Sequence, residues 1–145
     1  MTLELTDTEF AFLKEQQIGR LATASPAGKP DVAPSLAIWK RSLGAFLFGG
    51  RGIERTRRYN NARRNSQASL LFDDVQLDPY EIRGLKFTGS ITIHIADDDI
   101  NVGSLGDPLL VFRPEHKSSW GLEEPAFGDD GVFRIRIDGG EPTTF

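Results

Sequence analysis

From Arg83 to Ala96 the chain alternates. Leu85, Phe87, Ile91, Ile93 and Ile95 fall on one face of an extended segment; Lys86, Thr88, Ser90, Thr92 and His94 fall on the other. A period of two over this length fits a strand with one dry and one wet side, the habit of antiparallel sheets. Shorter segments repeat the theme. Ile18–Ser25 is extended in character and ends at the turn Pro26-Ala27-Gly28-Lys29-Pro30. Asp31–Trp39 puts Val32, Leu36 and Ile38 on one face, and Pro34 inside it marks an edge strand. Ala45–Phe48, Gln67–Phe72, Leu109–Phe112 and Val132–Ile137 complete the set. About seven short strands between turn signals predict a mainly β chain, an antiparallel, Greek-key-like barrel with a few short helices.

One of those helices is signalled at the start. Thr6 and Glu9 have capping-box spacing, and Leu5 and Phe10 hold the positions of a hydrophobic staple. The pattern places Phe10 and Leu13 on a shared face and stops the helix at Gly19. The tail Asp138–Phe145 is expected to be weakly ordered.

The 145 residues suit a single domain spanning 1–145, and ten phenylalanines supply its core. A net charge of −4 argues against a general binder of nucleic acid or anionic membrane. The absence of cysteine excludes disulfides, thiolate metal sites and a cysteine nucleophile. Glu4, Asp7, Glu9 and Glu15 crowd the start, where a secretory leader would be basic and then apolar, and no apolar run is long enough to span a membrane. A cytoplasmic protein is expected.

Gly49–Asn65 is the most unusual stretch. It holds Arg51, Arg55, Arg57, Arg58, Arg63 and Arg64 against one acid, Glu54. Gly49 and Gly50 precede a helix predicted to begin near Ile53 or Glu54. Backbone N–H groups at such a start, with Thr56 and the guanidiniums, suit a phosphate. The plainer alternative is a solvated basic helix pairing with Asp73, Asp74, Asp78 and Glu81. Nucleic acid is disfavoured because Tyr59 is the only aromatic residue here to stack on a base. Neither a Walker A loop nor a Rossmann fingerprint is present.

Other constellations carry less. Asp97, Asp99 and Asn101 alternate as in a calcium loop, but Val102 and Pro108 stand where that loop needs a glycine and an acid, so a turn is predicted. His94 and His116 are far apart in sequence, and no metal site is expected from them. No G-x-S-x-G elbow supports a hydrolase. Trp120 fits either a core position or the wall of a ring-binding cleft.

Taken in order, these residues resemble a known family. Gly19-Arg20-Leu21-Ala22-Thr23, the turn with Gly28 and Pro30, then Val32 and Pro34, is similar to the opening of the pyridoxamine 5'-phosphate oxidase-like split β-barrels. Thr56-Arg57-Arg58-Tyr59-Asn60-Asn61 with Arg64-Asn65 resembles that family's phosphate-contacting helix. Leu70-Leu71-Phe72-Asp73-Asp74, Arg83-Gly84 and Ser119-Trp120-Gly121-Leu122 extend the likeness toward the coenzyme F420-dependent branch. Arg58 stands where this class often has lysine.

The resemblance implies a homodimer with the cofactor in a groove between two barrels. It implies phosphate contacts from Thr56, Arg57, Arg58 and Asn61, and a ring lying along Thr23 and Pro34-Ser35-Leu36-Ala37. The implied activity is hydride transfer from reduced coenzyme F420 to an unsaturated small molecule. FMN is the alternative cofactor, and a non-catalytic flavin or tetrapyrrole binder is the alternative function. With no cysteine and only Ser35 in the ring-lining stretch, no side chain is expected to act as an essential acid, base or nucleophile.

Overall fold

The computed structural model describes residues 3–144. Nine antiparallel strands surround a filled interior, with two short α-helices, a split-barrel-like arrangement. The strands are β1 (Ile18–Ala24), β2 (Pro30–Leu36), β3 (Ile38–Lys40), β4 (Ala45–Phe48), β5 (Gln67–Leu77), β6 (Tyr80–Ile95), β7 (Pro108–Trp120), β8 (Arg134–Ile137) and β9 (Thr143–Thr144). Their lateral order is β2-β1-β5-β6-β7-β4-β3, with β8 on the outer side of β7 and β9 on β8. β2 is an edge strand, which accommodates Pro34. The expected tail is instead partly paired, because Ile135 of β8 meets Thr143 of β9. Phe145 lies outside the described residues.

The interior is built from rings. Phe12, Phe46, Phe48, Phe72, Phe87 and Phe112 are all fully buried. Phe46 is their hub: its centroid lies 4.8 Å from Trp39, 5.1 Å from Phe87, 5.8 Å from Phe72 and 6.3 Å from Phe112. β4 is buried on both faces, since Ala45 and Leu47 pack with Leu109, Val111 and Ala96 in a second cluster. That accounts for the unbroken apolar runs Ala45–Phe48 and Leu109–Phe112.

β6 buries Leu85, Phe87 and Ile91 as its alternation requires, but Ile95 emerges 57% exposed at the strand end. A bulge shifts the β6–β7 register between Thr88 and Gly89: Thr88 opposes His116 and Gly89 opposes Pro114. Glu115 is the extra residue, so Glu115 and His116 are both exposed.

The first helix, α1 (Asp7–Gln16), has the capping box: the Thr6 hydroxyl accepts from Glu9 N–H, and Glu9 Oε1 accepts from Thr6 N–H. Its buried face differs from the expected one. Glu9, Phe12 and Leu13 point inward, whereas Phe10 is 42% exposed beneath the Lys14 ammonium. The cause is an ion pair: Lys117 Nζ donates to Glu9 Oε1 at 2.6 Å and to the Glu4 carbonyl at 2.8 Å, with both side chains nearly sequestered. The helix stops at Gln17, not at Gly19. Gly19 lies within β1, where a Cβ would come 2.8 Å from Leu70 Cδ1 and 2.9 Å from Phe72 Cζ. The other end of α1 is held by Arg83, which stacks on Phe12 and bridges Glu15 and Asp74.

Two outcomes follow. Removing either member of a buried ion pair leaves the other uncompensated, so Glu9→Ala and Lys117→Met should each cost about 3–5 kcal/mol in denaturant unfolding, and the double replacement Glu9→Leu with Lys117→Met clearly less than their sum. Hydrogen bonds from Arg83 hold the Asp74 carboxyl below its ordinary value of 3.8. A depressed carboxylate contributes stability above that value and loses it as pH falls through the folded one. Stability measured downward from about pH 4 should therefore fall less steeply in Asp74→Asn than in the parent.

Candidate functional site

The arginine segment folds as two pieces. A 3-10 turn, Ile53–Arg55, precedes the helix α2 (Arg57–Arg64), so the helix begins later than the sequence pattern suggests. Thr56 is its N-cap: the hydroxyl accepts from Tyr59 N–H at 3.3 Å and donates to the Ile53 carbonyl at 2.6 Å. Its hydrogen-bonding capacity is thus directed to the cap. The Arg57 and Arg58 N–H groups at the start of α2 have no partner among the described residues.

The arginines are equally unspent. None of the six makes an ion pair among the described residues. Two of the four acids expected to neutralise them are taken elsewhere, Asp73 by Arg20 and Asp74 by Arg83, and Asp78 and Glu81 make no ion pair among the described residues. Arg58 Nε is buried with no hydrogen-bond partner. The start of α2 thus holds two free helix N–H groups and a half-buried Arg58 guanidinium whose Nε is unpaired, an arrangement that suits an anion.

α2 packs on β1, β6 and β2. Asn61, 7% exposed, donates from Nδ2 to Thr23 Oγ1 at 3.0 Å. Thr23, 4% exposed, lies on the core-facing side of the sheet with Leu21 and Ala68, at the border of an open groove of about 600 Å³. The remaining wall is Ser66, Gln67, Ser69, Thr88, Ser90 and Glu115, with Ala22, Ala24, Ala68 and Gly89 as small spacers. Sequence reasoning missed these polar residues. Thr88 and Ser90 looked like an ordinary solvated face, and nothing marked the bulge that brings Glu115 to the groove.

The other expected residues are spread out. Ser35 is buried on β2 opposite Gly19, its Oγ without a partner, while Pro34 and Leu36 are exposed beside it. Thr23 pairs with Asp31 and Arg20 with Pro34, so Pro34 lies three ladder positions from Thr23, roughly 10 Å. Ala37 borders a separate small cavity of about 180 Å³ with Phe10, Trp39 and Phe72. Gly49 packs against Val102, where a Cβ would sit 2.3 Å from Val102 Cγ2. Gly50 lines a different groove with Arg51, Glu54, Ser104 and Asp107. Trp120 lies over Gly84 and edge-on to Phe133 at 6.1 Å. Gly84 is five positions along β6 from Gly89 in the groove wall, roughly 17 Å.

The histidines each meet one acid: His94 with Asp97 at 2.9 Å and His116 with Asp138 at 3.0 Å. Among the described residues no cluster of His, Asp and Glu suits a metal ion. Asp97 accepts from the Asp99 and Ile100 N–H groups, the turn read from the sequence. No helix among the described residues is long and apolar enough to cross a membrane.

A family model described as pyridoxamine 5'-phosphate oxidase matches residues 5–141. The chain belongs to this family. Among the family's curated relatives, the 5a,11a-dehydrotetracycline/5a,11a-dehydrooxytetracycline reductase of Streptomyces rimosus is 25% identical over 122 residues, covering 83% of this chain and 86% of the reductase. A pyridoxamine 5'-phosphate oxidase-related, FMN-binding protein of Nostoc punctiforme superposes with a TM-score of 0.60 at 11% identity, over 92% of this chain and 98% of its own. HutZ, the heme storage protein of Vibrio cholerae, superposes at 0.57 with 19% identity, over 88% and 98%. These two structures share the fold.

The cap on α2 gives a separable test. Thr56→Ala should lower stability by about 1 kcal/mol in denaturant unfolding, and Thr56→Asp or Thr56→Ser should retain most of it.

Proposed function

We propose that the protein is an oxidoreductase that binds coenzyme F420 at the start of α2 and along the adjoining groove, and passes hydride to an unsaturated small molecule. The observation that carries this reading is the set of uncommitted cationic groups: six arginines without ion pairs, Arg58 Nε buried without a partner, and the free N–H groups of Arg57 and Arg58. Those groups fit a phosphate. Their number exceeds what one phosphate needs, which favours a cofactor whose oligoglutamate tail carries further negative charge. The reductase relative supports reduction as the reaction class.

In this reading Arg58 holds the phosphate with the α2 N–H groups, while Arg57 and the neighbouring arginines supply longer-range attraction. The groove hydroxyls Ser69 and Thr88 meet polar atoms along the cofactor, with Thr23 buried behind them on the other face of the sheet. Ser35, with its unspent hydroxyl, and the exposed Pro34 and Leu36 are assigned to the ring-facing stretch. The bound deazaflavin supplies the hydride; the protein orients it against the acceptor and keeps water away. A homodimer belongs to the same proposal. Ile18, Val32 and Leu36 are each more than half exposed and lie on the outward face of β1 and β2, which fits cover by a second copy. FMN is the second reading: it brings the same phosphate, and the Nostoc structure of this fold is an FMN-binding protein.

The test is titration of the purified protein with coenzyme F420, FMN and haem in parallel, followed by absorbance. Saturable F420 binding supports the first reading; FMN alone supports the second; haem alone removes both. Arg58→Ala should weaken the preferred cofactor by about 10- to 100-fold, the value of a charge-assisted hydrogen bond. An unchanged dissociation constant in that variant would falsify the placement of the phosphate.

A further inference from the structure

We propose that the cleft between α1 and β3 is where the molecule to be reduced binds, and that this molecule is a planar fused-ring compound without net charge, carrying oxygens on its edge. The inference rests on the reading that the protein is a reductase, and adds to it the class and the place of the acceptor.

The cleft consists of two hollows that share the rings of Phe10 and Trp39 as walls. The outer one, about 310 Å³, is completed by Leu3, Leu5, Glu4, Asp7 and Arg41. The inner one, about 180 Å³, is bounded by Leu13, Lys14, Ala37 and the core rings Phe46 and Phe72. Aromatic and aliphatic walls with a few polar groups at the mouth are the make-up of a small-molecule site. The contrast with the groove beside α2 is chemical: that wall offers hydroxyls, an amide and a carboxylate, whereas this one offers rings.

Phe10 is the informative residue. α1 buries Phe12 and Leu13 but leaves Phe10 42% exposed, lining the cleft with Trp39. Trp39 is held from behind by Phe46, with 4.8 Å between centroids. One ring is therefore anchored on the core and the other stands at the surface, and two such rings favour a flat π-system. The charges at the cleft cancel. Lys14 and Arg41 stand against Glu4 and Asp7, and none of the four has an ion-pair partner among the described residues. A net charge on the ligand gains little there, while oxygens on its edge can accept from the two cations and hydroxyls can donate to the two carboxylates. Ala37 sets the place of the cleft in the reaction. It ends the Pro34–Ala37 stretch assigned to the cofactor ring, and it lines the inner hollow. An acceptor in the cleft therefore lies beside that stretch. It takes a hydride from the reduced cofactor at one unsaturated carbon, the cofactor is left oxidised, and the displaced electron pair takes a proton from water.

The experiment is equilibrium dialysis of the full chain against menadione, a planar two-ring quinone, alone and with oxidised coenzyme F420 or FMN present, with thermal midpoints recorded for each variant. The parent should bind menadione saturably, and neither cofactor should displace it. Phe10→Ala should weaken binding about fivefold to tenfold and keep the parent's thermal midpoint, because its ring is nearly half in solvent. Ala37→Leu, which fills the inner hollow, should weaken it at least as much. Leu77→Ser, at the exposed end of β5, should change nothing. A parent that does not bind menadione overturns the proposal. So do dissociation constants that Phe10→Ala and Ala37→Leu leave unchanged, and so does displacement of menadione by a cofactor. If a cofactor binds while these results fail, the cofactor reading stands and this inference falls. If menadione binds as expected and neither cofactor does, the ring-binding cleft stands and the reductase reading falls.

Discussion

Everything in this molecule is arranged around a barrel that has no room inside. Phe46 touches four other rings, and the strands that carry them close on a solid interior. A ligand as large as a flavin must use the outside of such a barrel. The helix that would carry an anion site, α2, lies against β1, β6 and β2, and the polar groove runs across β1, β5 and β6 with Glu115 of β7 at its edge. Filling the core and building the site are then nearly independent problems. Phe46 and Phe87 belong to the core cluster, whereas Arg58 lies outside it, so substitutions there bear on different parts of the molecule.

The arginines show where structural satisfaction has been given up. Arg20, Arg83, Arg134 and Arg136 all have carboxylate partners. The six of residues 51–64 have none among the described residues, and outside that segment Arg41 and Arg113 also lack one. Arg83 even gathers two acids, Glu15 and Asp74, while Arg58 leaves a buried nitrogen unbonded.

Much of the fold was legible because its signals are local. The Thr6–Glu9 box, the alternation in β6 and the apolar run at β4 each depend on neighbours in sequence. What sequence reasoning missed depends on distant partners. The face that α1 buries is set by Lys117, 108 residues from Glu9. Strands β5 and β7 run well past their apolar cores because polar residues such as Asp74 and Ser118 still find ladder partners. Gly19 read as a helix stop because a glycine chosen for close approach to Leu70 and Phe72 looks, in sequence, like one chosen for a turn. The site divided in the same way. The arginine cluster was visible as composition, whereas the groove wall of Ser66, Ser69, Thr88 and Glu115 exists only once three strands and a bulge are aligned.

The place of β7 in the sheet has a consequence for synthesis. This strand joins β6 to β4 and receives β8, yet it occupies residues 108–120, near the end of the chain. While a ribosome is still making residues before 108, β2, β1, β5 and β6 already have their mutual partners, but the β3–β4 hairpin has nothing to pair with. Phe46, Leu47 and Phe48 must wait for Leu110, Val111 and Phe112 to emerge. The nascent protein therefore carries its most apolar hairpin without its outer partner from residue 48 until residues 110–112 are made, at the stage when chaperone contact and aggregation compete with folding. The last quarter of the chain turns that exposed segment into the centre of the molecule.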